Sequence, residues 1–128
     1  MDDTQFSLDL EVRDGGDAKR MLGAAVATCL GESLMFCLRK ARIDVRQVHA
    51  SVTGTLVRNE RGRVRVDEIN VQLTPLVAPE DRARMGRCLE LFENFCTVTA
   101  SVRHGITVNV EVAGAPVASV AAGNTPSG

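Results

Sequence analysis

The four cysteines are the residues of this chain best suited to covalent chemistry. They stand at positions 29, 37, 88 and 96, and none of them forms a CxxC pair. A free cysteine either fills apolar space in a core or, as a thiolate, acts as a nucleophile that can be oxidised and reduced. The cysteines therefore predict either core packing or redox chemistry.

Other familiar chemical motifs do not occur in the sequence. His49 and His104 are isolated, and no carboxylate or cysteine stands at ligand spacing from either, so we predict no metal site. There is no Walker loop, GxGxxG or GxSxG to support a nucleotide cofactor or serine hydrolysis. We expect a protein that works without a cofactor.

Composition limits the classes of partner and the cellular compartment that we expect for this protein. The 128 residues are 45% hydrophobic, enough for one domain, and the net charge of -1 offers no basic surface for nucleic acid or anionic lipid. No apolar stretch is expected to approach the roughly 18 residues that span a bilayer, and the polar, acidic N-terminus is unlike a signal peptide. We therefore expect a cytoplasmic protein, in which structural disulfides are disfavoured.

Hydrophobic periodicity predicts the elements of the first half. Residues 6–13 alternate like a half-buried strand, and Asp17 caps a helix from about 18 to 41. That helix is apolar nearly all round, which predicts burial centrally or between subunits. A long hairpin follows, with strands over 48–56 and 64–73 and a bulge near Asp67 and Glu68.

Hydrophobic periodicity in the second half of the sequence predicts a helix and further strands. A helix begins at Pro79 and ends near Cys96, and strands follow over 98–102 and 106–112. The order β-α-β-β-α-β(β) indicates an α+β fold with antiparallel pairing. We predict one domain over residues 1–113 and a disordered tail over 114–128, where small and polar residues dominate.

Five segments between about residues 17 and 112 carry a recognisable pattern: Leu22-Gly-Ala-Ala-Val-Ala-Thr-Cys29-Leu, Arg-Lys-Ala-Arg-Ile-Asp-Val45, the Val-Thr-Gly-Thr-Leu hairpin, Phe95-Cys96-Thr-Val-Thr99 and His104-Gly-Ile-Thr-Val. Together they resemble the OsmC/Ohr family, osmotically inducible protein C and organic hydroperoxide resistance protein. The resemblance implies an OsmC-like fold, an antiparallel sheet with two main helices, in an intertwined homodimer with two interfacial sites.

The resemblance also implies a reaction. Cys29 would be the peroxidatic thiol and Cys96 the resolving thiol of a peroxidase that reduces organic hydroperoxides, through a sulfenic acid and then a disulfide. A thiol reductant would regenerate the pair by exchange. Cys37 and Cys88 gain no role from the resemblance, and core filling is the interpretation for both.

The groups that would activate Cys29 depart from the family pattern. The family's peroxidases carry a glutamate ten positions before the first cysteine, where this chain has Lys19, and an arginine from an N-terminal loop. A reactive thiolate needs a cation or hydrogen-bond donors nearby. Arg13 or Arg20 could supply the cation, and Glu32, one helical turn beyond Cys29, the carboxylate.

Two other functions stay open. The chain could be a catalytically impaired OsmC-fold protein that binds a small apolar or thiol ligand at the dimer interface, as Lys19 suggests. It could also be a structural or interaction domain whose cysteines only fill the core. The distance between Cys29 and Cys96 distinguishes the peroxidase from the core-filling hypothesis, because a disulfide requires Cα atoms within about 7 Å.

Overall fold

The computed structural model describes residues 4–114 and 120–121. It is an α+β structure with antiparallel strand pairing, as the sequence predicts. The helices and strands, in chain order, are α1 (Ala18–Lys40), β1 (Val48–Arg58), β2 (Val64–Pro75), α2 (Gly86–Leu91), α3 (Thr97–His104), β3 (Asn109–Val110) and β4 (Val120–Ala121).

Helix α1 begins and ends where the sequence predicts. The carboxylate of Asp17 accepts a hydrogen bond from the backbone N–H of Arg20 at 3.2 Å, which satisfies one of the free amides of the first turn. Arg39 and Lys40 occupy the last turn, where positive charge is favourable. One face of the helix is buried, while Met21 and Phe36 on the other face are exposed in the single chain.

Helix α1 contradicts the expectation that no apolar stretch is long enough to span a bilayer. Its most apolar 18 residues have a mean hydropathy of 1.7, so by length and composition it could cross a bilayer. The expectation that no stretch approaches this length is therefore wrong. We assign the helix to the core, since Leu34 and Leu38 are almost wholly buried against Ile43, Val45 and neighbouring segments.

The hairpin formed by β1 and β2 packs along α1. Its register shifts by one residue where Thr55 pairs with Glu68 and Leu56 pairs with Val66, so Asp67 is the extra residue of a bulge, as predicted. The helix approaches the hairpin closely at Gly23. A Cβ at that position would lie 3.1 Å from Cγ1 of Val52, and a glycine there permits the contact.

The segment after the hairpin differs from the single helix predicted from Pro79 to Cys96. It is a 3-10 turn over Pro79–Arg84, then α2, then a second 3-10 turn over Phe92–Phe95. Gly86, a weak helix former, stands at the first junction. Met85, Cys88 and Cys96 along this segment are all buried, whereas Leu89 is exposed.

The predicted strand over residues 98–102 is wrong, because these residues lie in α3. Cys96 and Thr99 are buried and Val102 is half-buried, a spacing of three that belongs to a helix. Gly105, with a φ of 81°, ends the helix in a conformation that favours glycine. The alternation of valines and alanine in the sequence was compatible with both structures.

The outer predicted strands are also largely missing from the single chain. Residues 6–13 form no strand within the described residues, and Phe6 and Val12 are 94% and 90% exposed. In the predicted strand over 106–112, only Asn109–Val110 pairs, with Val120–Ala121. Alternating apolar residues need a sheet edge, and these segments lack one here. The predicted tail, 114–128, lies outside the described residues except for Gly114 and β4.

Candidate active site

Cys29 and Cys96 come together although they are distant in the chain. Cys29 lies on α1, and Cys96 is the residue that precedes the first turn of α3, with an extended backbone (φ -89°, ψ 95°). Cys96 forms a core cluster with Val26 and Leu30, and Cys29 packs against that cluster. The two thiols are close enough for each to shift the pKa of the other. The structure thus brings together the two cysteines that the resemblance pairs.

Thr99 provides a second polar partner for Cys96. Its Oγ1 lies 2.8 Å from Sγ of Cys96, one turn along α3. Cys96 is 1% exposed and Thr99 is 5% exposed, so water competes little for this contact. When the thiol is ionised, the hydroxyl can only donate, and it then stabilises the thiolate.

The first turn of α3 also faces Cys29. The backbone amides of Val98 and Thr99 act to lower the pKa of Cys29. These amides have no partner within the helix, and the N-terminal end of a helix carries partial positive charge. The turn therefore offers both sulfurs an environment that favours negative charge.

The two thiols respond to this environment in opposite directions. Burial raises the pKa of Cys29, and the neighbouring Cys96 raises it further, against the effect of the two amides. Burial also acts to raise the pKa of Cys96, but the neighbouring Cys29, the hydrogen bond with Thr99 and the charge of Arg103 together hold it below its ordinary value. The first proton to leave the pair is therefore the proton of Cys96, while Cys29 keeps its own.

Arg103 is the cation whose charge lowers the pKa of Cys96. It lies one turn beyond Thr99 on α3, and its guanidinium pairs with the carboxylate of Glu93. The side chain of Arg103 is about half exposed, so solvent weakens its influence on the thiol.

A cavity of about 480 Å³ lies between α1, β2 and α3, and its lining includes Val26, Leu30 and Thr99, which contact Cys96, but neither thiol. Thr99 and Arg103, the two side chains of α3 that act on Cys96, form part of its wall. Most of the wall is apolar, and the bulge of β2 adds two carboxylates. The remaining lining residues are Leu22, Val66, Asp67, Glu68, Ile69, Val71, Leu73, Phe92, Glu93 and Val102.

The residues considered from the sequence as activating groups for Cys29 lie away from both thiols in the single chain. Arg13 pairs with Glu11, and Arg20 pairs with Asp17 at the start of α1. Glu32 is exposed on α1, beside Met35 and Phe36. Lys19 is exposed and lines a separate groove against the hairpin. Within residues 4–114 and 120–121, no hydrogen bond or ion pair joins these four side chains to either thiol, and their roles stay predictions.

Thr99 and Arg103 are site residues that the sequence analysis does not single out. They follow Cys96 by three and seven residues, a spacing that places all three on one face of a helix. This spacing can be read from the sequence, but it is meaningful only in a helix, and residues 98–102 are predicted to form a strand. No three His, Cys, Asp or Glu side chains in the described part of the chain converge as metal ligands.

Comparisons with known proteins agree with this architecture. Among solved structures, an OsmC-like protein of unknown function from Vibrio cholerae O1 biovar eltor is similar, with a TM-score of 0.57 and 17% sequence identity. The match covers 66% of this chain and 57% of that chain, so the chain spans little more than half of the length of its relative. No curated protein matches by sequence. The sequence model of the OsmC-like protein family matches residues 6–111. The chain therefore belongs to the OsmC-like protein family.

Proposed function

We propose that this protein is a thiol-dependent peroxidase that reduces organic hydroperoxides through Cys29 and Cys96. The observation that carries the proposal is the packing of Cys29 against the cluster that contains Cys96, at the start of α3, where Val26, Leu30 and Thr99 separate the thiols from a largely apolar cavity. Membership of the OsmC-like family supports a peroxidase-related role in general terms.

The proposed reaction needs only the two thiols and an external reductant. The Cys29 thiolate attacks one peroxide oxygen, the O–O bond breaks, and the alkoxide takes a proton and leaves as an alcohol. Cys96 then attacks the Cys29 sulfenic acid, which releases water and leaves a disulfide. A reductant of the thiol class returns two electrons and two protons by exchange. The net oxidation consumes one hydroperoxide for each disulfide.

The proximity of the two thiols offers Cys29 a route to the thiolate without the family's glutamate. The pKa of Cys96 is lowered and that of Cys29 is raised, so the charge of the ionised pair resides first on Cys96. Transfer of the Cys29 proton to the Cys96 thiolate then produces the Cys29 thiolate and a neutral Cys96. Cys29 is half-buried whereas Cys96 is almost fully buried, so Cys29 is the thiol that an incoming peroxide meets.

The wall of the cavity favours organic peroxides over hydrogen peroxide. Leu22, Val26, Val71 and Phe92 offer apolar contacts to an alkyl or aryl group. Each methylene group buried there contributes about 0.8 kcal/mol to binding. Hydrogen peroxide has no such group, so its binding gains nothing from this wall.

Homodimerisation in the cytoplasm belongs to the same proposal. Residues 6–13 and 106–112 carry alternating apolar side chains that are exposed in the single chain. A second copy would supply the missing sheet edges and cover the exposed face of α1. We expect light scattering to give the mass of two chains. A monomer at micromolar concentration would remove this part of the proposal.

Peroxidase kinetics test the proposal. Reduced protein is mixed with cumene hydroperoxide, and peroxide consumption is followed in the wild type, Cys29→Ser and Cys96→Ser, with Cys37→Ser as the matched control on the same helix. We expect the wild type to consume one peroxide per chain and form a disulfide, Cys29→Ser to consume none, and Cys96→Ser to consume one peroxide and stop at the sulfenic acid. Consumption no faster than that by free cysteine would contradict the proposal and favour a catalytically impaired OsmC-fold protein that binds an apolar or thiol ligand.

A further inference from the structure

The other two cysteines form a second thiol pair. Cys37 lies on α1 and Cys88 on α2, each eight residues from a member of the first pair. Cys88 is buried in the core cluster that contains Leu34 and Met85, and Cys37 packs against that cluster. Burial raises the pKa of the Cys37 thiol and the neighbouring Cys88 raises it further, whereas the charge of Lys40 acts to lower it.

This second pair opens onto the surface. Both cysteines line a cavity of about 510 Å³ between the end of α1 and α2, and Cys37 is half-buried rather than enclosed. Phe36, Leu91 and Phe95 give the cavity apolar walls, and all three are exposed. Core filling, the interpretation from sequence, explains the burial of Cys88 but not a shared opening to solvent.

The rim of this cavity is positively charged. Lys40, Arg84 and Arg87 line it, and no acidic residue does so within the described part of the chain. Arg84 is paired with Asp81 and donates to the carbonyl of Ala41 at 2.7 Å. Lys40 lies 5.4 Å from the ring centre of Phe36, and neither it nor Arg87 has a carboxylate partner among the described residues.

We propose that Cys37 and Cys88 are a second redox-active dithiol, which exchanges with small disulfides that carry carboxylates. The cavity presents two thiols, apolar walls and two unpaired cations at one opening, which together match that class of molecule. Carboxylates would be held by Lys40 and Arg87 while the disulfide bond faces Cys37, the more exposed thiol.

The exchange proceeds in two balanced steps. The Cys37 thiolate attacks one sulfur of the disulfide, the S–S bond breaks, and the first thiolate leaves and takes up the proton lost by Cys37. Cys88, after losing its proton, attacks the Cys37 sulfur of the mixed disulfide, and the second thiolate leaves with that proton. The protein dithiol is oxidised to a disulfide, and the small disulfide is reduced to two thiols.

The test uses the full chain carrying Cys29→Ser and Cys96→Ser, so that only the second pair can react. Free thiols are counted and peptides are mapped by mass spectrometry after addition of oxidised glutathione, which carries carboxylates, or cystamine, which carries amines. We expect loss of two thiols per chain, a Cys37–Cys88 link, and a reaction about tenfold faster with oxidised glutathione, because the cations raise the local concentration of an anion.

Two further variants make the outcome decisive. In the same background, Cys88→Ala should stop the reaction at a mixed disulfide on Cys37, and Lys40→Gln/Arg87→Gln should bring the two rates to within about twofold of each other. Circular dichroism checks that each variant is folded, and peptide mapping of the wild type locates the same link without substitutions. Absence of the link would overturn the dithiol assignment, and equal rates before the charge substitutions would overturn the anionic specificity. Neither result bears on Cys29 and Cys96.

Discussion

The hydroxyl oxygen of Thr99 lies 2.8 Å from the sulfur of Cys96, at the first turn of α3. This contact joins a residue with no obvious role in the sequence to the thiol whose pKa the site lowers. It gives Cys96 a buried hydroxyl partner, which accepts from the thiol and donates to the thiolate, and which a strand at residues 98–102 would have directed elsewhere.

Thr99→Val is expected to raise the pKa of Cys96. The substitution keeps the branched shape but removes a hydrogen bond to a charged group, and a loss of about 1.4 kcal/mol corresponds to one pKa unit. Ultraviolet absorbance of the thiolate against pH measures the change. Thr97→Val, an exposed substitution on the same helix, is the control and should leave the titration unchanged. Equal titrations for both variants would show that the hydroxyl does not act on Cys96.

Arg103 and Glu93 should shift the pKa of Cys96 in opposite directions. Arg103→Gln removes a positive charge and raises the pKa of Cys96, whereas Glu93→Gln frees Arg103 from its partner and lowers it. Both shifts should be smaller than that of Thr99→Val and should shrink with added salt, because the ion pair is partly exposed. Shifts of the same sign for the two variants would contradict this arrangement.

The opposed pKa shifts predict a maximum in the free energy of unfolding with pH. The folded pKa of Cys96 is lowered, so its stabilisation is lost as pH falls through that value. The folded pKa of Cys29 is raised, so its stabilisation is lost as pH rises above the ordinary thiol pKa of about 8.5. The maximum should therefore lie near the ordinary value.

Urea unfolding of reduced protein across this pH range measures the effect. Subtracting the curve for Cys29→Ala/Cys96→Ala removes the contributions of all other titrating groups. A difference that changes in one direction only throughout the range would contradict the opposed shifts.

Gly23 and Gly31 provide a matched test of helix–hairpin packing. Alanine at either position gains about 1 kcal/mol of helix propensity, but at Gly23 the new Cβ meets Val52 at 3.1 Å, whereas at Gly31 it lies 4.0 Å from Val48. Crowding of a packed contact costs about 1–3 kcal/mol. We expect Gly31→Ala to be more stable than Gly23→Ala by at least about 1 kcal/mol in urea unfolding. The reverse order would show that the hairpin yields easily at Val52.

Local patterns predicted the central elements of the fold well. Asp17 caps α1, the hairpin turns after Arg58, and the bulge contains Asp67, because these features depend on neighbouring residues. Residues 6–13 were assigned to a strand from alternation alone, and a strand also needs an edge to pair with. That edge is not present among the described residues of one chain.

The site was only partly predictable for the same kind of reason. Cys29 and Cys96 were singled out through a family resemblance, since nothing in their separate sequence contexts indicates that they meet. Arg13, Arg20 and Glu32 were chosen by chemical type, and the single chain pairs or exposes them away from the thiols. Thr99 and Arg103 became visible only once α3 was known to be a helix.

The most direct test of the central claim is a disulfide map of the wild-type protein after one equivalent of cumene hydroperoxide. The reduced chain is oxidised briefly, remaining thiols are blocked, and the cross-linked peptides are identified by mass spectrometry. We predict a link between Cys29 and Cys96, formed before any change at Cys37 and Cys88. Oxidation that leaves Cys29 and Cys96 as free thiols, or links either to another cysteine first, would contradict the account.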